Sequence, residues 1–192
     1  MPLAAALLAL QFFATNRDLG YRFQLPDGFI GVPGDQSLHR DIVDCWSEPM
    51  PASPSGALML CVHRMHGVLP HEAMRPEELP PGAGLVSFFW KGFDVQGIRT
   101  DTVRSGMRIT ALVAQVPLRK EAIQLSLAGP TGQVSRMQAI MTSTLASLEG
   151  ETNWLTSVER SSRLGKGVGA MLALVILVIA ARIWRNRRAQ PA

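Results

Sequence analysis

The chain has 192 residues, 47% of them hydrophobic and 18% charged, with two cysteines and a formal net charge of +4. This composition is that of a folded globular domain rather than a disordered chain. The charge is unevenly placed: up to Glu159 there are 12 basic residues against all 15 acids, and from Arg160 on there are seven basic residues and no acid. The high pI therefore belongs to the C-terminal flank, and a nucleic-acid-binding surface is excluded because the folded part carries no basic stripe.

Residues 1–15, beginning MPLAAALLALQFFA, form an apolar segment of signal-peptide length with small residues near Ala14. No basic residue precedes it, so a helix packed on the domain is the competing reading. The soluble domain is expected over residues 16–156, long enough for a hydrophobic core of its own.

Tyr21, Phe23 and Leu25 alternate with Arg22 and Gln24, the pattern of a half-buried strand, and Pro26-Asp27-Gly28 ends it as a turn. Two strand-like runs follow, IVDCWS around Cys45 and ALMLCVHRM around Cys61. The turn-rich PMPASPSG lies between them. If these strands form a hairpin, the cysteines fall near opposite positions. A disulfide there closes a loop of about 15 residues, worth roughly 3 kcal/mol in the chain-entropy model. Two buried, reduced thiols are the alternative.

The polar, proline-broken HEAMRPEELPPGAG predicts a short helix and a loop. GLVSFFWKGFDVQGIRTDTV reads as strand, turn near Gln96-Gly97, and strand. In the first of these, alternation sets Phe88 and Trp90 on one face and Phe89 on the other. MRITALVAQVPL and EAIQLSL give two more strands around a polar link at Arg119-Lys120, with Ile123, Leu125 and Leu127 on one face. Residues 132–149 form the clearest helix. Its apolar stripe is Val134, Met137, Met141, Leu145 and Leu148, with Thr131 as expected N-cap and Gly150 just past its end.

A polar tether covers 157–166, and residues 167–184 are expected to cross a membrane as one helix. Gly167 to Ala181 is unbroken apolar sequence, Arg182 is placed to snorkel, and Trp184 suits an interface. Eighteen helical residues rise about 27 Å, close to a bilayer's hydrocarbon thickness. The tail, 185–192, holds Arg185, Arg187 and Arg188. Four arginines after the apolar run against Arg160, Arg163 and Lys166 before it favour a cytoplasmic tail and an extracytoplasmic domain. Gly165, Gly169 and Ala173 recur at four-residue spacing, a pattern that allows a homo-oligomer through this helix.

The element order predicts an α+β domain, an antiparallel β-sheet with packed helices, plus the C-terminal transmembrane helix. The stretch YRFQLPDGF, the aromatic block FFWKGF, the strand VPL-x3-AIQLSL and the close SLEGETNW resemble the PsbP and DcrB group over residues 19 to 154. That resemblance implies a PsbP-like α/β sandwich serving outside the cytoplasm as a binding or assembly module, generally without catalysis. This chain departs from the group in its C-terminal anchor and in lacking a lipobox cysteine near its start.

Chemistry-bearing residues are few. Cys61 and His63 share a strand face, and His66 and His71 follow in the adjoining loop, an alternative metal site for zinc or copper. Their spacing matches no standard metal motif. There is no G-x-S-x-G elbow, P-loop, G-x-G-x-x-G or HExxH. Gly165-Lys166-Gly167-Val168-Gly169 follows no strand and enters the apolar run. The expected function is accordingly that of a non-catalytic, membrane-anchored module in the cell envelope. It needs no cofactor, and its partners are the lipid bilayer and other membrane or envelope proteins.

Overall fold

The computed structural model describes residues 12–32, 41–49, 56–72 and 74–155. The expected transmembrane helix 167–184, the tether 157–166, the tail 185–192 and residues 1–11 of the apolar N-terminal segment lie outside the described residues. Among the described residues no helix is long and apolar enough to cross a membrane.

The described residues form ten strands and one α-helix, in two antiparallel sheets. The strands are β1 (Phe13–Asn16), β2 (Tyr21–Gln24), β3 (Ile30–Val32), β4 (Ile42–Ser47), β5 (Met59–Arg64), β6 (Ala83–Trp90), β7 (Phe93–Arg104), β8 (Met107–Val116), β9 (Ile123–Pro130) and β10 (Glu149–Gly150). The helix α1 spans Val134–Ser147. The larger sheet has the order β3-β4-β5-β9-β8-β7-β6, and the smaller one the order β1-β2-β10.

The registers divide the large sheet into two faces. Leu60 and Val62 of β5, Leu125 and Leu127 of β9, Leu112 and Ala114 of β8, and Val95 of β7 share one face, and all are buried. On this face lie α1, through Met137, Met141 and Leu145, and the small sheet, through Tyr21 and Phe23. Each such side chain, fully buried, contributes about 1.5–3 kcal/mol before entropy is counted. The Trp90 indole ties β6 to the end of the helix by donating to the Leu148 carbonyl at 2.9 Å. The Phe23 ring meets Trp46 of β4 edge-on, with centroids 5.5 Å apart.

Four local differences from the sequence reading have physical causes. First, the turn after the aromatic block is at Lys91-Gly92, not at Gln96-Gly97. Lys91 and Gly92 both have positive φ (49° and 85°), as a two-residue hairpin matched to strand twist requires. Gly97 instead sits inside β7 because Phe88 and the Val113 carbonyl crowd the place of a Cβ. Second, Thr131 does not cap the helix. It lies in a 3₁₀ turn, Thr131–Gln133, and its hydroxyl donates to that of Thr110 at 3.1 Å, whose own proton goes to Asp101. Third, Leu148 lies beyond α1, and Gly150 pairs with Tyr21 in β10 rather than ending the helix. Fourth, the expected short helix in HEAMRPEELPPGAG is a single 3₁₀ turn, Pro76–Glu78.

The first described strand, β1, begins at Phe13 and therefore runs into the apolar segment assigned to 1–15. Its Ala14 is buried and lies opposite Phe23. On the core-side edge, Arg99 donates to Asp101 and Thr110 donates to it at 2.6 Å. The Arg99 bond first, and then that of Thr110, hold the Asp101 carboxyl below the usual carboxylate range.

Candidate functional site

The residues singled out in the sequence lie on or beside the face of the large sheet that points away from α1. Cys45 and Cys61 are directly opposite in the β4–β5 register and are joined as a disulfide, with Cα atoms 4.2 Å apart. A bulge between Ile42 and Asp44 sets this phase. It turns Asp44 toward the small sheet while Cys45 faces outward.

The four metal candidates are not brought together. Cys61 is committed to Cys45. His63, two residues on, has its Nε2 2.9 Å from the Ser126 hydroxyl across the β5–β9 pair. His66 has positive φ (48°) and turns into a surface ionic cluster. Its Nε2 is 2.7 Å from Asp41, its Nδ1 is 3.4 Å from Glu121, and Arg64 reaches the same Glu121 at 3.5 Å. His71 is elsewhere, its ring 4.4 Å from Trp154 and 6.1 Å from Phe93. Among the described residues, no group of three or more His, Cys, Asp or Glu side chains is placed to hold a metal ion.

Near His71 the loop after β5 overhangs one end of the sheet and leaves an open cleft of ≈ 1220 Å³. Asp94 and Gln96 of β7 and Gln115 of β8 form its floor, and His71, Arg75 and Trp154 form its walls. Two hydrogen bonds fix the overhang: Trp154 Nε1 donates to the Leu69 carbonyl at 2.8 Å, and the Met74 amide donates to the Gln96 side chain. Glu72, Glu78 and Asp94 against Arg75 make the lining mixed in charge.

The rest of this face is the larger feature. In register across the sheet it presents Met59, the Cys45–Cys61 pair, Ala128, Ser126, Ala111, Val113, Ile98, Leu85 and Ser87. Ile98, Ile109, Ala111, Val113 and Ala128 are half-buried, and Met59, Leu85 and Phe89 are exposed. No charged side chain interrupts it between Asp94 and Arg104 of β7, nor along the outward positions of β8 and β9 from Ile109 to Gln124. Neither α1 nor the small sheet covers it, since both pack on the opposite face. Among the described residues it is a face of apolar and uncharged polar side chains. Its sequence signal is β8 itself: Ile109, Ala111 and Val113 are apolar at one parity and Leu112, Ala114 and Val116 at the other. A strand apolar on both faces is built to be covered on both.

No family model matches the chain, and no curated protein matches it. Solved structures are similar to it in fold. One is LpqN of Mycobacterium tuberculosis, described as involved in cell envelope biogenesis. It has 12% identity and a TM-score of 0.46, over 72% of this chain and 88% of that one. A Bacteroides thetaiotaomicron protein has 14% identity and a TM-score of 0.48 over 74% of this chain, which spans about half (48%) of that protein. The cyanobacterial PsbP of Synechocystis has 12% identity and a TM-score of 0.47, over 78% of this chain and 98% of that one.

Proposed function

We propose that the chain is a non-catalytic, single-pass membrane-anchored module that holds a protein partner at the membrane surface through the uncovered face of its large sheet. One observation carries this reading: from Gln96 to Thr102 of β7, Ile109 to Gln115 of β8 and Gln124 to Pro130 of β9 the outward positions carry no charge and bring Ile98, Ile109, Ala111, Val113 and Ala128 together, and no described helix or sheet lies over them. Water against such a surface costs about 25 cal/mol per Å², so a partner that covers it gains in proportion to the area. The anchor in this proposal is the apolar run within 167–184 with its arginine tail.

The domain stands on the outer side of the cytoplasmic membrane in this reading, where an oxidising compartment maintains the Cys45–Cys61 disulfide. The partner is another membrane or envelope protein, because the tether 157–166 is too short to carry the domain far from the bilayer. At about 3.3–3.6 Å per extended residue it reaches roughly 35 Å.

Photo-crosslinking in the native membrane tests the contact face. A photoreactive residue at Val113 should give partner adducts that the same residue at Ser143, exposed on α1, does not. Equal adducts from both positions, or none from Val113, would remove the assignment. An impermeant thiol reagent, applied after reduction to intact and to lysed cells, tests the side. Equal labelling supports an outer domain, and labelling only after lysis excludes it.

A further inference from the structure

We infer that two copies of this chain pair through strand β6, antiparallel and edge to edge, across a two-fold axis at Ser87. This goes beyond the partner-binding reading above and uses the backbone edge of β6, whose outward side chains border that face. Strand β6 is an outer edge of the seven-stranded sheet. It pairs with β7 without a bulge over all eight residues from Ala83 to Trp90. No described strand pairs with its outer side, which is therefore a row of backbone donors and acceptors open to another strand.

Natural edges are blunted by charge, proline, bulges or shortness. The opposite edge, β3, is blunted: it has three residues, and Pro33 follows it in the sequence. Strand β6 has none of these devices, since AGLVSFFW contains no charged residue and no proline. Leu85 and Phe89 are 41% and 65% exposed on it, although they are among its larger apolar side chains.

The side-chain pattern selects a second copy as the occupant. Directly opposed residues of an antiparallel pair share a face, so only registers that match residues of like parity preserve the two faces. Centring on Ser87 sets Leu85 against Phe89 of the other copy and Phe89 against its Leu85, an aliphatic–aromatic pair made twice by symmetry. Centring on Val86 or Phe88 sets those side chains against Ala83, Ser87 or Lys91 instead. An uncharged strand meets its own image without repulsion. The result is one continuous sheet whose uncovered faces lie on the same side.

Cysteine crosslinking of the full-length chain in its native membrane tests this. Both native cysteines are taken up in the disulfide, so a single introduced thiol reports alone. Under mild oxidation S87C should form a disulfide-linked dimer, and S143C on α1 should not. Co-expressed L85C and F89C should crosslink at least several-fold more than either alone. S87K, which places two ammonium groups at the axis, should abolish the L85C–F89C crosslink. All these positions are exposed, so the core is undisturbed. No S87C dimer above the S143C background, crosslinking of S87C to a different protein only, or equal crosslinking of L85C with itself would each overturn the pairing. Membrane sedimentation of the same samples reports the anchor separately.

Discussion

The single tyrosine of the chain, Tyr21 on β2, donates its hydroxyl to the Asp44 carboxylate on β4 at 2.8 Å. This bond joins the small sheet to the large one at a position where Tyr21 is 2% exposed. Burial first, and then the bond and charge of Asp44, push the phenol well above its usual range.

Because no other tyrosine contributes, absorbance near 295 nm should read Tyr21 alone. Phenolate should not appear near pH 10, where a free tyrosine ionises, but only together with alkaline unfolding. The folded value is raised above the unfolded one, so the stabilisation is complete below about pH 10 and is lost as the pH rises further. A normal titration midpoint in the folded protein would contradict the buried geometry. Y21F should cost about 1–2 kcal/mol in urea denaturation, the worth of a hydrogen bond to a charged group partly reached by water.

Reduction should release two thiols from a protein that shows none when isolated without reductant. The double variant C45A/C61A should lose roughly 3 kcal/mol of stability, since the closed loop is about 15 residues. The Cys45–Cys61 pair is buried (8% and 4% exposed) but lies on the sheet face away from α1 and outside the main apolar cluster, so the variant should keep its far-UV circular dichroism. Free thiols in the untreated protein would refute the bond.

Replacing Gly97 by alanine places a Cβ against the Val113 carbonyl and 2.8 Å from the Phe88 ring. Backbone cannot yield there as a flexible side chain could, so G97A should destabilise by about 1–3 kcal/mol. At Gly129 the crowding atom is the end of Leu58, so G129A should cost less. Comparing the two midpoints checks the argument, and an equal or larger loss at Gly129 would contradict it.

Thr144 of α1 is 1% exposed, and its hydroxyl has no hydrogen-bond partner among the described residues. A buried hydroxyl without a partner costs about 1–3 kcal/mol. T144V keeps the shape and should raise the denaturation midpoint by about 1 kcal/mol of stability. A loss of that size would mean that the hydroxyl is satisfied.

Much of the fold was legible because the alternation is clean. Ile123, Leu125 and Leu127 declared the core face of β9, and Met137, Met141 and Leu145 declared the buried stripe of α1. Other features were hidden by competition between equivalent signals. Gly92 and Gly97 both punctuate the same run, and only the positive φ of Lys91 together with the ring of Phe88 decides which one turns. Thr131 looked like a cap, yet its hydroxyl is drawn to Thr110 on a strand far away in sequence. The cleft beside His71 was not legible. Trp154 and Leu69 lie 85 residues apart, and no local pattern records that they meet.

The sequence by itself determined β2, β4 to β9, the helix, the charge division and the apolar C-terminal run, since each depends on periodicity or composition within a short window, whereas the short β1, β3 and β10 carry no such pattern. It also set the local conditions for the proposed β6 pairing: a strand without charge or proline and an apolar residue on either side of Ser87. Only the tertiary structure decided that, among the described residues, β6 is an edge and β8 is covered on one side alone, and that three histidines and a cysteine point to separate neighbours. Edge and face are properties of strand order, and strand order follows from long-range packing that no single segment encodes.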